Sequence, residues 1–205
     1  MRFLQIFVAL VTLAGGLAGC QKESPEQETP ADFSGMMALA RRGNASAQYN
    51  VAVAYLTGNG VVRNERAGVE WMAKAALGGD QDAQFNLGAM YSSGESVPKD
   101  VETSVKWYRM AAEGGMTEAQ FNLGLLLYYG RGVRKDLSEA ARWFRKAAEA
   151  GDMKAQYFYG DCCYVGFGVP RNRAEAISWY RKSAAQGFTG AQERLREIEL
   201  SQGKK

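Results

Sequence analysis

The stretch AQFNLGLLLYYGRGVRKDLSEAARWFRKAAEAG, residues 119–151, is one copy of a pattern that runs through most of the chain. Its leading Ala-Gln pair recurs at 47, 83, 119, 155 and 191, each 36 residues from the last. Trp71, Trp107, Trp143 and Trp179 keep the same spacing, as do Gly58, Gly94, Gly130 and Gly166, and Val61, Val97, Val133 and Val169. A period of this length is the signature of stacked supersecondary units, so it governs every local reading that follows.

Each unit reads as two helices. In the first copy, Ala47, Val51, Ala54 and Tyr55 form an apolar stripe at helical spacing over 47–57. The glycine-rich turn GNGVVR ends that helix, and Asn64, Asp100, Asp136 and Asn172 are placed to accept from the open N–H groups of the second. Glu139 and Glu175, three positions later, predict capping boxes in two repeats. The second helices carry the Trp and an Ala-Ala or Ser-Ala pair. They stop near Gly79, Gly115, Gly151 and Gly187, which suit a left-handed C-terminal cap. Ala52, Gly88, Gly124 and Gly160 let the paired backbones approach, with the Trp expected to fill the groove beside them.

The runs AQFNLGAMYSSG at 83–94 and AQFNLGLLLYYGRGVRKDLSEAARWFRKAAEAG at 119–151 resemble the Sel1-like repeat family, a tetratricopeptide-like class. The resemblance implies an all-α solenoid: four full repeats of 36 residues over 33–200, with partial capping helices in which MMALARRG is half of a second helix and AQERLREIELSQGKK a first helix turned polar. Such units cannot bury their faces alone, and terminal units need polar outer faces. It also implies an adaptor role. Some exported members resemble immunity proteins that neutralise phospholipase effectors delivered into the periplasm by type VI secretion.

The N-terminus reads as an address. MRFLQIFVALVTLAGGLAGC has a positive residue, an apolar stretch and then small residues, the layout of an export signal over 1–19. Leu17, Ala18, Gly19 and Cys20 resemble a bacterial lipobox, which implies cleavage before Cys20 and acylation of its thiol. The alternative is an uncleaved anchor, for which the apolar run is near the lower limit of the ~20 residues a span requires. QKESPEQETPAD, after Cys20, is acidic and lacks large apolar residues, so 20–32 reads as the lipidated cysteine and a flexible tether. By the sorting logic that the resemblance to lipoproteins implies, Gln21, rather than Asp, after the cysteine favours outer-membrane attachment over inner-membrane retention, so the expected location is the periplasm, lipid-anchored. Residues 201–205 are a tail.

Composition excludes several function classes. The apolar fraction of 46% fits a packed protein, and a net charge of +3 without a basic block gives no nucleic-acid footprint. Histidine is absent, which removes the commonest general base and metal ligand, so neither a catalytic residue, a metal site nor a cofactor is assigned. Cys162 and Cys163 fall on the first helix of the fourth repeat at the stations of Ala54 and Tyr55. Neighbouring Cα atoms lie ~3.8 Å apart, short of the usual disulfide range of ~4.4–6.8 Å. The pair therefore reads as small core residues, with a strained or intermolecular disulfide as the alternative.

Residues present in every repeat are scaffold, so function is expected where repeats differ. By the tetratricopeptide-like analogy the first helices line the concave face, which is most aromatic in repeats three and four. Phe121, Tyr128, Tyr129, Tyr157, Asp161, Tyr164 and Phe167 are the proposed contacts for a protein partner. Tyr128 and Tyr129 replace Ser92 and Ser93, and Phe167 sits in a turn where other repeats have Asn59, Glu95 or Arg131. Large amphipathic rings are the residue types that anchor interfaces. Alternatively, Tyr128 only makes up for Leu127, which takes the core Tyr station. The expected function is a non-catalytic, lipid-anchored binding protein of the envelope. An immunity protein against a secreted lipase is the specific form, an envelope adaptor or scaffold the alternative, and an enzyme using scattered carboxylates such as Asp161 and Glu118 the remaining class.

Overall fold

The structure, a computed structural model, describes residues 31–202. Among them are ten α-helices and no strand. The helices are α1 (Ala31–Arg41), α2 (Ala45–Thr57), α3 (Glu65–Leu77), α4 (Gln81–Ser93), α5 (Val101–Glu113), α6 (Thr117–Tyr129), α7 (Leu137–Glu149), α8 (Met153–Val165), α9 (Arg173–Ala185) and α10 (Thr189–Gln202). Each packs chiefly on its neighbours in sequence, as a solenoid requires. Repeats one to four are the pairs α2/α3, α4/α5, α6/α7 and α8/α9. Among the described residues the stack begins with α1 and ends with α10, whose buried hydrophobic residues are Ala191 and Ile198. Cys20, the export signal and the tether as far as residue 30 lie outside the described residues, while Ala31 and Asp32, read as the end of the tether, open α1.

The helix starts follow the side chains at their caps. Asn64, Asp100, Asp136 and Asn172 accept from the N–H of the residue three positions on. The capping boxes predicted at Glu139 and Glu175 do not close. The backbone N–H that each carboxylate would have bound is already donated to the preceding first helix, from Asp136 to the Leu127 carbonyl and from Asn172 to that of Cys163. Glu139 instead takes the guanidinium of Arg109 and the indole N–H of Trp143, while Glu175 takes the Tyr159 hydroxyl and the Asn172 amide.

The second helices end as expected. Gly79 has φ +91°, and paired bonds run from its N–H to the Ala76 carbonyl and from the Asp80 N–H to that of Ala75. This 5→2 and 6→1 pairing is the Schellman arrangement. Ala-Gln explains its recurrence here as well. The buried side-chain amides of Gln48, Gln84, Gln120 and Gln156 donate to the carbonyls of Ala40, Ala76, Ala112 and Ala148, so each first helix is bolted to the end of the helix before it. The alanine of each pair is small enough to lie flat in that joint.

The groove beside the small residues is filled by a different residue from the one the sequence suggests. A Cβ on Gly88 would meet the Tyr108 ring at 2.8 Å, one on Gly124 the Phe144 ring at 2.6 Å, and one on Gly160 the Tyr180 ring at 2.8 Å. The residue after each Trp therefore stands over the glycine. The Trp does not stand over the glycine; it is half-buried at 71, 107 and 179 and buried at 143, and Lys74, Lys146 and Lys182 lie over Trp71, Trp143 and Trp179 at 4.0–4.3 Å. One turn of helix separates each Lys from its Trp, and the ring faces attract the ammonium groups.

Candidate protein-binding face

Successive first helices touch along one side of the stack. Asn86 of α4 donates to the Tyr49 hydroxyl of α2, and Phe121 of α6 meets Phe158 of α8 with centroids 5.6 Å apart. On this side the seven residues singled out above fall into three environments.

Tyr128, Tyr129 and Phe167 converge. The rings of Tyr128 and Tyr129 are 5.0 Å apart, and Tyr128 reaches Phe167, in the α8–α9 turn, at 6.1 Å. Tyr129 is 52% exposed and Phe167 36%. Tyr128 is half-buried, its inner edge against Phe144 and Phe158, and burial raises its phenol above the ordinary range. Leu127 does fill the core beside it, so Tyr128 serves both the packing and the patch. Arg131 stacks on Tyr129 at 5.1 Å and Lys135 lies over Tyr128 at 5.9 Å. Beside them a cleft of about 190 Å³ opens between repeats two and three, lined by Ser92, Tyr108, Asn122, Leu125, Leu126, Tyr129 and Arg131.

Phe121 and Tyr157 sit behind that patch. They pair with Phe144 and Tyr180 as Phe85 pairs with Tyr108, so this aromatic station is shared scaffold. Burial raises the Tyr157 phenol too.

Asp161 and Tyr164 face the end of the stack. The Asp161 carboxylate accepts from the Tyr180 hydroxyl at 2.6 Å and pairs with Arg194 of α10 at 3.2 Å. Burial, and then this acceptor, push the Tyr180 phenol far up. Burial would lower Arg194, but the Asp161 charge outweighs it and holds the guanidinium firmly protonated. The Tyr164 hydroxyl accepts from Arg173 at 2.6 Å, and its ring carries that guanidinium at 5.0 Å.

Sequence reasoning missed Phe158, Arg131 and Lys135. Phe158 touches Phe121, Tyr128, Phe144 and Tyr157 and joins the rings of repeats three and four. Its signal was available, since the other repeats have Asn50, Asn86 and Asn122 at that station. Cys162 and Cys163 are buried free thiols. Burial and the neighbouring thiol push Cys162 up to about 12, and burial raises Cys163. A thiol held protonated in an apolar joint is a poor nucleophile. Among the described residues no three His, Cys, Asp or Glu side chains gather as metal ligands, and no helix is long and apolar enough to cross a membrane.

Helix pairs in one register, joined by repeated amide bolts and presenting a continuous side, define a repeat solenoid of the protein-binding kind. The Sel1 repeat model matches residues 45–80, 81–116, 117–152 and 154–188, well over half of the chain, and the chain belongs to the Sel1 repeat family. It is similar to c5321, a protective antigen present in uropathogenic Escherichia coli strains, at 36% identity over 80% of this chain and 35% of that one, with a TM-score of 0.73. It is also similar to a Sel1 repeat protein from Oxalobacter formigenes at 32% identity over 83% of this chain and 49% of that one, with a TM-score of 0.74. The chain thus spans between about a third and a half of the length of these two proteins. No curated protein matches it.

Proposed function

We propose that this chain is a non-catalytic binding protein of the bacterial envelope, anchored through an acylated Cys20, which holds a protein partner on the first-helix face of repeats three and four. The observation that carries the reading is the patch of half-buried Tyr128 with exposed Tyr129 and Phe167, rings in positions where repeat two has Ser92, Ser93 and the turn residue Glu95. The specific form is an immunity protein for a phospholipase-type effector in the periplasm, with outer-membrane attachment. A tether raises the effective concentration of an inhibitor at the surface where a lipase must act.

The test is titration calorimetry of the mature protein against a phospholipase encoded beside its gene. Binding is expected, with Tyr129→Ala or Phe167→Ala costing about 2 kcal/mol. Cys20→Ser is expected to release the protein from membranes at an altered mature mass. Absence of lipase binding, together with a deletion strain unharmed by sibling attack, would replace the immunity role by that of an envelope adaptor. Uniformly small losses at both rings would move the contact surface elsewhere.

A further inference from the structure

We infer that the third repeat's turn recognises an acidic partner segment, in which carboxylates meet Arg131 and Lys135 and a neighbouring bulky apolar side chain enters the cleft beside Tyr129. This rests on the binding reading above and specifies the partner's chemistry.

The first ground is a break in the repeat. Lys135 falls at a station that is basic in every repeat, the others being Arg63, Lys99 and Arg171. Arg131 stands where the other turns carry Asn59, Glu95 and Phe167, and Arg134 where they carry Val62, Pro98 and Pro170. The turn of repeat three therefore adds two cations, Arg131 and Arg134, to the basic residue that every repeat carries, and at the first of these positions it reverses the sign found in repeat two.

The second ground is that these cations lack internal acids. Among the described residues, Arg131, Arg134 and Lys135 form no salt bridge, whereas Arg63, Arg66, Arg109, Arg145 and Arg194 do. The nearest carboxylates along the chain are occupied: Asp136 caps α7 through the Glu139 N–H, and Glu139 holds Arg109. Arg131 and Lys135 lie over tyrosine rings, which orient a cation without neutralising it. An incoming carboxylate would gain a charge-assisted bond with a donor already positioned.

The third ground is shape. The cleft of about 190 Å³ shares Tyr129 and Arg131 with the cationic patch, and Leu125, Leu126 and Tyr108 give it apolar walls. It has room for a single bulky side chain. On the other side, Arg134 and Lys135 border a groove lined by Leu127, Val133 and Leu137 and by two acids, Asp136, which caps α7, and Glu139, which is paired with Arg109. Apolar contact flanked by positive charge fits an acidic residue next to a Leu, Met or Phe. Complementary charge then sets register and on-rate while the buried side chain supplies most of the affinity.

The test selects short random peptides displayed on phage against the mature protein, and measures the selected peptides by fluorescence anisotropy at low and high salt. Peptides carrying Asp or Glu beside a bulky apolar residue are expected. Their affinity should fall roughly tenfold in the double variant Arg131→Glu/Lys135→Glu, less in Arg131→Gln/Lys135→Gln, and weaken with salt. All four exchanges are at surface side chains, and circular dichroism confirms the fold. Selected peptides without acids that still lose binding on Tyr129→Ala would overturn this inference and leave the binding face standing. Failure to select any peptide sensitive to Tyr129→Ala or Phe167→Ala would overturn both. Phosphatidylglycerol vesicles bound as tightly as the peptides, and lost in the same charge-reversed variant, would reassign the patch to an anionic lipid surface.

Discussion

Repeats one and two share second-helix caps, amide bolts and helix lengths with repeats three and four, yet their interiors are connected differently. In the first half the aromatic pairs stand apart, Phe33 with Tyr55 and Phe85 with Tyr108. In the second half the rings of Phe121, Tyr128, Phe144, Tyr157, Phe158 and Tyr180 run into one another across both repeats. Buried apolar residues follow suit, with two small clusters towards the N-terminus and one large cluster from α5 to α10. Where repeat one packs Met72 by Ala52, repeat three packs Phe144 over Gly124. A repeat can thus hold its backbone constant while side-chain differences decide which half is the more continuously packed, and that half is the one that carries the exposed rings. Preorganised rings lose less freedom on binding than mobile ones.

The largest test of that contrast is truncation at equivalent stations. Phe144→Ala should cost ~3–5 kcal/mol and Met72→Ala nearer the lower end of ~2–5 kcal/mol, because the phenyl ring has more buried neighbours to lose. Hydrogen exchange should then show lost protection across α6–α9 for Phe144→Ala, while α2 and α3 stay protected. Equal costs, or a loss spread evenly along the chain, would break the comparison.

Next in size are the amide bolts, which the two halves share. Gln84→Leu and Gln120→Leu should each cost about 1 kcal/mol in chemical denaturation, the ordinary value of one hydrogen bond. They should match one another, since both donate to a helix-terminal alanine carbonyl. A clear difference would mean that the joints, as well as the ring network, distinguish the halves.

Smaller, and lost in acid, is the contribution of the Arg109–Glu139 pair that links α5 of the first half to α7 of the second. The guanidinium, and to a lesser degree the Trp143 indole, hold the Glu139 carboxyl below the usual range despite partial burial. A depressed folded pKa stabilises above the unfolded value, ~4.3, and the gain disappears as pH falls through the folded one. Glu139→Gln should therefore flatten the decline in thermal midpoint below about pH 5. An unchanged acid limb would show that the pair does not couple the halves.

The smallest effect is expected at Ser96. It has φ +62° at the station occupied by Gly60, Gly132 and Gly168. A side chain there costs ~1–2 kcal/mol of backbone strain, and glycine returns part of that gain as unfolded-state entropy. Ser96→Gly should stabilise by roughly 0.5 kcal/mol, while Gly168→Ser, whose Cβ would lie 2.0 Å from the Leu137 carbonyl oxygen, should destabilise strongly. A cost for Gly168→Ser no larger than the gain from Ser96→Gly would show that the two turns approach the preceding helix equally closely.

The sequence by itself determined the period, the ten helices, the Asn and Asp caps, the left-handed glycines and the partial units at each end. These depend on hydrogen bonds and steric limits acting within a few residues, and repetition printed each signal several times. Departures from the repeat also marked Tyr128, Tyr129 and Phe167. Only the tertiary structure decided which side chains met. It set Tyr108, Phe144 and Tyr180, rather than the tryptophans, over the glycines, and it turned Glu139 from its cap to Arg109. It also tied Asp161 to Arg194 and used Phe158 to join two repeats into one ring network. Each of those outcomes is a choice between partners brought together from different helices. Local spacing constrains what a residue can do, and the packing geometry between helices selects the neighbour with which it does it.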